Sequence, residues 1–470
     1  QEPGGGAMTR DRSFYRQFFT LCLTLMAERL VVCSVNLLDN IMLGSYAETA
    51  MAAAAAVNQL QFLFQQLIYA TGAGMVILGG QYWAQAQWDQ VRRIVPIGLR
   101  WGAGFALVFF LLAALLPRQL VSLFTKDQTM IQLGAEYLQI IKYTCPLFAM
   151  TQLLLASLRT VKVVQISLRV SLLSLLVNCG LNYILISGRF GAPALGVTGA
   201  AIGTLTARWL ECTVVLFYVL RRDRILRLRP ADLRQAPGPL ARDFAHLTAP
   251  ICLIEFLWGC NMAIQTAVMG HLSAAAIAAQ SISVTSFTLL KVASLGSASA
   301  TTVLIGQAVG RGDEATIRAY TRTLQVLFCA LGLVLAAIML LLRRPLLQLY
   351  ALQPETAALA RQFILIQAAV VFLNAYHLPT NTGIIRGGGD TNFSVKLDLC
   401  VIWCFAVPLS LLAAFVWHWP PVAVLLCLNA DQAVKCIPIA IRANRYHWVK
   451  HLTQPTSNPD TTAPGGHPAG

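Results

Sequence analysis

The 470-residue sequence predicts an all-α membrane protein in which twelve transmembrane helices form two parallel six-helix bundles. Three observations predict this fold. The chain is 57% hydrophobic and only 12% charged, roughly half the charge of a typical soluble domain. Apolar stretches of roughly 18 or more residues recur along it, each long enough to cross about 30 Å of hydrocarbon as a helix. The sequence also matches itself at an offset of 226 positions.

This internal repeat runs without a gap for about a hundred residues. Alanine and leucine coincidences are frequent in so apolar a chain, so the glycine, glutamine and arginine matches are the informative ones. A long fixed period indicates a duplicated unit, and transporters often place their site between two such halves. The informative pairs are Gly44 and Gly270, Gly80 and Gly306, Gln81 and Gln307, Arg92 and Arg318, and Arg118 and Arg344.

Twelve apolar stretches are predicted to span the membrane as helices. No sustained alternation of polar and apolar residues is present, which argues against a transmembrane β-barrel. Several stretches exceed 25 residues, so we expect tilted or protruding helices. The predicted spans are residues 18–43, 52–81, 93–116, 129–158, 166–188, 196–220, 247–271, 275–308, 319–342, 355–385, 396–417 and 421–441.

The repeat and the basic residues predict the domain organisation. Six spans per half mean that both halves enter the membrane from the same side, so the repeats are parallel. Lys and Arg are concentrated at both ends and in the gaps after even-numbered spans, which places these segments in the cytoplasm. We expect an N-terminal cytoplasmic segment (1–17), an N-lobe (18–220), a cytoplasmic linker (221–246), a C-lobe (247–441) and a cytoplasmic, largely disordered tail (442–470).

Neither the net charge nor the cysteine content indicates a further function. The net charge of +15 is typical of nucleic-acid binding, but the arginines lie in short gaps between spans, so we expect no nucleic-acid partner. The 12 cysteines are scattered and form no CxxC pair, so we interpret them as small buried apolar residues. The Gly-rich residues 1–7 precede Met8 and are left out of the fold prediction.

Ionisable residues inside the spans are the best guide to function, because each costs about 2.5–3.5 kcal/mol to insert. Two local pairs have a structural explanation, since their members lie three or four residues apart on one helix face. Three further residues are expected near the water boundary, and Lys291 has no local partner. The local pairs are Arg208 with Glu211 and Asp431 with Lys435, and the boundary residues are Lys142, Arg361 and Asp398.

Asp39 and Glu255 differ from these residues. Each lies deep in the first span of its half, and no basic residue lies within one helical turn of it. A carboxylate in apolar surroundings can hold a proton, Na⁺ or an organic cation, but not all at once. Such exclusive occupancy is sufficient chemistry for antiport. The repeat does not preserve these acids, since Asp39 matches Gln265 and Glu255 matches Arg29.

Neutral polar residues add possible ligands. Asn178 and Asn182 lie four residues apart on one face of the fifth span, and Thr204 lies in the sixth. With Asp39 they can supply oxygen ligands to a small hard cation, so Na⁺ is a candidate here. The same residues can instead form hydrogen bonds between helices. Gln280 replaces Ala54 in the repeat and can hydrogen-bond a substrate.

Four motifs resemble those of the multidrug and toxic compound extrusion (MATE) family. The stretch from Asn36 to Gly44 (NLLDNIMLG) is similar to the family's first-helix motif, and Pro250 to Glu255 (PICLIE) to its seventh-helix motif. Two later motifs, Gly306–Gly310 (GQAVG) and Arg386–Thr391 (RGGGDT), are similar to further family signatures. The resemblance covers about Phe18 to Arg442.

The resemblance implies a V-shaped pair of six-helix bundles that exports organic cations in exchange for Na⁺ or H⁺. We expect no cofactor. It implies an N-lobe cation site at Asp39, Asn178, Asn182 and Thr204. It also implies cation and substrate groups at Glu255 and Gln280, beside the candidate substrate contacts Asn36, Asn374 and His377. Some members have an aspartate in place of Asn182. Others pair the seventh-helix glutamate with an aspartate in the tenth helix, where this chain has Asn374, Tyr376 and His377.

Three other functions remain open at this point. A lipid-linked glycan flippase would need a cationic cavity, for which Lys291 and Arg208 are candidates. A membrane enzyme is disfavoured, because the chain contains no HExxH or GxSxG motif. A major-facilitator transporter also has two parallel halves, but its basic motif after the second span is replaced here by Trp83–Trp88 (WAQAQW). We therefore predict a monomeric, multi-pass efflux transporter of small organic cations in the cytoplasmic membrane.

The glycines of the Arg386–Thr391 motif are expected to end the tenth helix, with Asp390 capping the next one. A phosphate-binding loop would also need a preceding strand, and none is predicted.

Overall fold

The computed structural model describes residues 11–46, 48–123, 128–223, 238–348 and 354–450, apart from some helical side chains within these ranges. The described residues form helices and no strand. The α-helices are α1 (Arg12–Tyr46), α2 (Glu48–Ala84), α3 (Trp88–Leu115), α4 (Pro117–Ser122), α5 (Gln128–Ile141), α6 (Thr144–Thr160), α7 (Gln165–Leu185), α8 (Val197–Phe217), α9 (Pro239–Leu272), α10 (Ala274–Arg311), α11 (Glu314–Gln348), α12 (Pro354–Leu378), α13 (Thr391–Asp398), α14 (Val407–Leu411), α15 (Pro421–Leu428) and α16 (Ala430–Arg445). Four π-helical segments continue them: Tyr218–Arg222, Pro379–Ile385, Leu399–Ala406 and Leu412–Val416.

The predicted twelve spans are confirmed. In the described part of the chain, 10 helices are long and apolar enough to cross a membrane. The pair α5–α6 passes the same test as one span with a bend of 49°. The 34-residue helix α9 lies at the position of the seventh span. The chain is therefore a multi-pass, all-α membrane protein, and the fourth span is broken where a single helix was predicted.

Local sequence explains where several helices begin and end. Pro239 and Pro421 occupy the first turns of α9 and α15, where a missing N–H costs nothing. The hydroxyl of Ser273 accepts a 3.0 Å hydrogen bond from the amide of Ala276 and caps α10. At its other end, α10 stops at Gly312, whose φ of 72° is left-handed and favours glycine.

The two lobes share one apolar core at the membrane face that carries the first and last described residues, which we call the terminal face. This core contains Phe14 and Ile77 of the N-lobe and Ile305 and Trp448 of the C-lobe. At the opposite face each lobe has its own apolar core. Leu43 belongs to the N-lobe core, and Met269 belongs to the C-lobe core. The lobes thus pack together at the terminal face and separate toward the opposite face.

Polar contacts between the lobes accompany this shared core. The amide of Gln307 on α10 donates a 3.2 Å hydrogen bond to the carbonyl of Thr160 in the N-lobe. Its repeat equivalent, Gln81 on α2, donates a 3.1 Å hydrogen bond to the carbonyl of Lys450. The duplicated glutamines therefore each cross to the other lobe and hold the terminal face closed.

Two sequence predictions need correction at this face. Asp390 precedes α13 but does not cap it. Its carboxylate instead pairs with Arg442 at 2.5 Å and Lys450 at 2.7 Å, because two cations attract a buried carboxylate more strongly than a neutral amide does. The predicted disordered tail began at residue 442, yet α16 continues to Arg445 and Trp448 is fully buried.

The predicted linker and tail lie largely outside the described residues. Residues 224–237 and 451–470 are not described, and α9 already begins at Pro239, inside the predicted linker.

Candidate ion and substrate sites

The N-lobe contains a buried polar site formed by three helices. The side chains of Asp39 on α1, Asn178 and Asn182 on α7 and Thr204 on α8 come together there, and we call this set the N-lobe polar site. Asn182 Nδ2 donates to Asp39 Oδ1 at 2.5 Å and to Asn178 Oδ1 at 3.3 Å. Asn178 Nδ2 donates to Thr204 Oγ1 at 3.2 Å. Asp39 is only 7% exposed.

Helix spacing and one glycine explain how these residues meet. Asn178 and Asn182 are one turn apart, so both face α1 and α8. Gly203 on α8 gives Asn182 its space, because a Cβ at position 203 would lie too close to Asn182 Oδ1 for the present arrangement. The close approach of α7 and α8 therefore depends on the absence of a side chain at Gly203.

One oxygen of this site is unused. Asn182 Oδ1 is buried and accepts no hydrogen bond from a described residue. Unsatisfied buried acceptors are uncommon in folded proteins. A carboxylate oxygen, amide oxygens and a hydroxyl form the oxygen set that hard cations prefer. The N-lobe polar site can hold a small cation or a proton on Asp39.

Two residues near this site were not predicted as its members. Tyr137 on α5 is 2% exposed, and its hydroxyl interacts with Thr204 near Asp39. Arg208 on α8 forms the predicted pair with Glu211 at 2.6 Å and also lies within electrostatic range of Asp39. The sequence indicated Arg208 only as the partner of Glu211 on the same helix. No sequence pattern relates Tyr137 on α5 to the N-lobe polar site.

In the C-lobe, Glu255 has a basic partner that its own helix does not supply. Arg386 Nη1 contacts Glu255 Oε1 at 3.1 Å, and Arg386 Nη2 contacts Asp398 Oδ2 at 3.3 Å. The Arg386 side chain is 5% exposed and that of Glu255 27% exposed. The expectation that Glu255 is an isolated acid is therefore wrong, because Arg386 folds back onto it from the end of the tenth span.

The contacts continue from Asp398 across α16. Lys435 Nζ lies 2.8 Å from Asp398 Oδ1 and 3.3 Å from Asp431 Oδ2. The predicted pairing of Asp431 with Lys435 is confirmed. Asp398, expected near the water boundary, is instead enclosed with a side chain that is 13% exposed, since Arg386 and Lys435 neutralise its charge.

A glutamine joins these charges to the tenth span. Gln432 Nε2 donates to Asp431 Oδ2 at 2.9 Å, and Gln432 Oε1 contacts His377 Nε2 at 2.6 Å. Asn374 Nδ2 donates to the same glutamine oxygen at 3.2 Å. We call the connected side chains the C-lobe polar chain; they are Glu255, Arg386, Asp398, Lys435, Asp431, Gln432, His377 and Asn374.

Two further residues, Gln280 and Asn36, were predicted as substrate contacts. Gln280 on α10 is 6% exposed, and its Oε1 accepts no hydrogen bond from a described residue. The side chain of Asn36 lies outside the described part of the chain. Lys291, which had no assigned partner, places its ammonium group 4.3 Å from the centre of the Trp258 ring. Trp258 in turn contacts Phe62 of the N-lobe with ring centres 5.7 Å apart.

The described residues contain no group of three His, Cys, Asp or Glu side chains that could hold a metal ion. A cation in the N-lobe polar site would therefore be held by one carboxylate and neutral oxygens. That ligand set suits a monovalent hard cation better than a transition metal.

Comparison with known proteins decides the family. The MatE family model matches residues 25–184 and 250–412, one segment in each lobe. The chain belongs to the MatE family. Both lobes match separately, as the 226-residue repeat predicts. Asp39 and Glu255, the acids in the first span of each lobe, both lie inside the matched segments.

Curated relatives and solved structures agree with this assignment. The chain is 26% identical over 409 residues to the multidrug resistance protein MdtK of Pectobacterium atrosepticum, covering 85% of this chain and 87% of the relative. It is 24% identical over 406 residues to MdtK of Photorhabdus laumondii, covering 84% and 86%. The bent form of the Vibrio cholerae MATE transporter VcmN superposes with a TM-score of 0.82 at 17% identity, covering 92% and 97%. The eukaryotic MATE transporter AtDTX14 superposes with a TM-score of 0.80 at 16% identity, covering 92% and 96%.

Proposed function

We propose that this MatE-family protein is a secondary active multidrug efflux transporter, which exchanges small organic, mostly cationic compounds for Na⁺ or H⁺. Two curated relatives are named multidrug resistance proteins. The observation that carries the proposal is the N-lobe polar site, where the buried carboxylate of Asp39 faces neutral amide and hydroxyl groups and one unused amide oxygen.

The exchange follows from exclusive occupancy. A proton or Na⁺ on Asp39 neutralises the charge that attracts an organic cation. Ion binding therefore favours drug release, and ion release favours drug binding. A ligand shifts a conformational equilibrium only when it binds the two states with different affinity. Here the two ligands act on the same carboxylate, so their effects on the two states oppose each other.

The C-lobe polar chain supplies a second place for this competition. In the described conformation the guanidinium of Arg386 already occupies the carboxylate of Glu255. An organic cation or a coupling ion must displace Arg386 to reach Glu255. Arg386 then acts as a tethered cation that returns to Glu255 when the cargo leaves. His377, Asn374 and Gln280 contribute polar groups to the substrate path.

We place the protein in the cytoplasmic membrane as a monomer, with the terminal face, both termini and the linker in the cytoplasm. Basic residues are concentrated at that face, as in other polytopic proteins. With the closed terminal face in the cytoplasm, the space between the two lobes opens to the outside of the cell. An inside-negative potential drives cation entry with about 2.3 kcal/mol per charge per 100 mV. No covalent chemistry, cofactor or nucleic acid takes part.

The glycan flippase, which would need free cations in a central cavity, has less support. Both of its candidate cations have partners, since Arg208 pairs with Glu211 and Lys291 lies over Trp258. The named relatives are also drug-resistance proteins.

Transport by the purified full chain in proteoliposomes tests the proposal. A fluorescent organic cation such as ethidium is loaded, and Na⁺ and H⁺ gradients are imposed separately. We expect one gradient to drive ethidium movement and Asp39→Asn to abolish it, while Asp89→Asn, an exposed control, transports normally. Equal movement with and without both gradients would reject coupled transport.

A further inference from the structure

A cavity at the terminal face lies apart from both polar sites. Its volume is about 630 Å³. It is lined by the start of α1, the connection between α6 and α7, the start of α7 and the π-helical segment that follows α8 at Tyr218. Three predicted spans end here together, so the cavity lies at the depth of the lipid headgroups rather than in the hydrocarbon.

The cavity is positively charged. Arg16, Lys162 and Arg169 line it, and none of its described lining residues is Asp or Glu. Lys162 Nζ donates to the neutral oxygen of Gln17 at 2.7 Å. Neither Arg16 nor Arg169 forms an ion pair with a described residue. Three basic residues therefore line one space whose described lining residues supply no counter-charge. A cleft lined by charges of one sign attracts ions of the opposite sign, so this space favours an anion.

The surroundings of Lys162 agree with this lack of counter-charge. Burial and the positive charge of nearby Arg311 lower the pKa of Lys162. An anion beside its ammonium group would offset both effects. The start of α7 contributes further, because Val164 at its N-cap makes no side-chain hydrogen bond to the first-turn amides, and the positive end of a helix dipole favours anions.

The other wall of the cavity is apolar. Leu21, Val163, Ile166 and Tyr218 line it beside the basic residues. The cavity thus pairs a cationic rim with an apolar wall. Basic pockets between transmembrane helices on the cytoplasmic side are known to bind anionic headgroups. A cationic drug would be repelled by the same charges, so this cavity does not suit the transported compounds.

We propose that the cavity formed by Arg16, Lys162, Arg169, Leu21, Ile166 and Tyr218 binds an anionic phospholipid, with its phosphate on the three cations and its acyl chain along the apolar wall. The lipid would hold the start of α1. Because α1 is continuous from Arg12 to Tyr46, this is the helix that also carries Asp39.

The test measures lipid retention by the purified full chain in neutral detergent with native mass spectrometry. Phosphatidylglycerol and phosphatidylcholine with identical acyl chains are offered separately and in competition. We expect the wild type to retain phosphatidylglycerol about a hundredfold better than phosphatidylcholine, given the contribution of each of the three basic residues to binding an anionic lipid. The triple variant Arg16→Gln, Lys162→Gln, Arg169→Gln should lose this preference.

A matched triple variant removes three charges elsewhere at the terminal face: Arg318→Gln, Arg322→Gln and Arg445→Gln, none of which lines the cavity. It should keep the preference, and elution in gel filtration verifies that both triples are folded. Equal losses in the two triples, or equal retention of both lipids by the wild type, would overturn the proposal. Full displacement of phosphatidylglycerol by millimolar inorganic phosphate would also overturn it, because the site would then belong to a soluble anion.

Discussion

Gly80 and Gly306, which occupy equivalent positions in the duplicated halves, face each other across the interface between the lobes. A Cβ on Gly80 would lie 3.8 Å from the carbonyl carbon of Gly306. The repeat therefore brings its two copies of one motif into contact on α2 and α10. Small residues permit this close approach of helix backbones, and the neighbouring glutamines add hydrogen bonds. The contact closes the terminal face in the described conformation.

Closure at this face predicts the effect of Gly310→Ala. A Cβ there would lie 2.5 Å from the carbonyl oxygen of Gln81 and 2.8 Å from the Cβ of Ala84, so the two lobes must move apart. We expect maleimide labelling of Cys22, which contacts Ser297 across the interface, to become several-fold faster. Peptide mass spectrometry measures it.

Gly104→Ala is the control for this variant, since a Cβ at Gly104 meets nothing within 4 Å. Its labelling rate should equal that of the wild type. Unchanged labelling of Gly310→Ala would show that the glycine contact does not control closure.

The N-lobe polar site predicts that Gly203→Ala impairs transport without altering any polar group. A methyl at Gly203 would displace Asn182, the partner of Asp39. We expect ion-driven ethidium transport to fall by about tenfold, as small misplacements at functional sites can do. Gly180→Ala on α7 is the control, because its Cβ would lie in open space. Similar transport by both variants would contradict the arrangement described for Asn182.

The pairing of Arg386 with Glu255 predicts different effects on binding and turnover. In Arg386→Gln the carboxylate of Glu255 loses its internal cation, so ethidium should bind with equal or higher affinity. Turnover should fall by about tenfold, because nothing replaces the cargo at Glu255 upon release. Fluorescence titration and proteoliposome transport measure the two quantities.

Arg386→Lys retains the charge and should preserve part of the turnover, although it loses the forked geometry that reaches both Glu255 and Asp398. Since an unpaired buried charge destabilises a protein, thermal unfolding must show that each variant is folded. A folded Arg386→Gln protein with normal turnover would exclude the tethered-cation role.

Asp390 predicts how docking of the C-terminal segment depends on pH. Burial alone would raise the pKa of Asp390, but hydrogen bonds and charges from Lys450 and Arg442 lower it. The folded pKa then lies below the unfolded one. The stabilisation is therefore complete above the ordinary carboxyl pKa of about 4 and disappears as the pH falls through the lowered value.

The fluorescence of Trp448, which is fully buried, measures this docking as the difference between the wild type and Trp448→Phe. We expect no change between pH 7 and about pH 5 and a change below about pH 4. Asp390→Asn should show the undocked signal already at pH 7. A transition between pH 5 and 7 in the wild type would contradict the assignment to Asp390.

The sequence predicted the fold well because hydrophobic length and the repeat are local or periodic signals. It also indicated Asp39, Asn178 and Asn182, since helical spacing places the two asparagines on one face and Asp39 has no local partner. The partner of Glu255 could not be predicted, because Arg386 lies 131 residues away on a loop that no periodicity relates to α9. Long-range charge likewise determines the contacts of Asp390, where a local capping rule was expected.

The central claim is that a coupling ion and an organic cation compete for Asp39. The most direct measurement is the affinity of the purified protein for ethidium, titrated at increasing Na⁺ and, separately, at decreasing pH. The account predicts that one of these ions weakens ethidium binding by about tenfold, within the usual range for coupled ligands, and that Asp39→Asn removes this dependence. An Asp39→Asn protein in which ethidium binding remains equally sensitive to the same ion would contradict it.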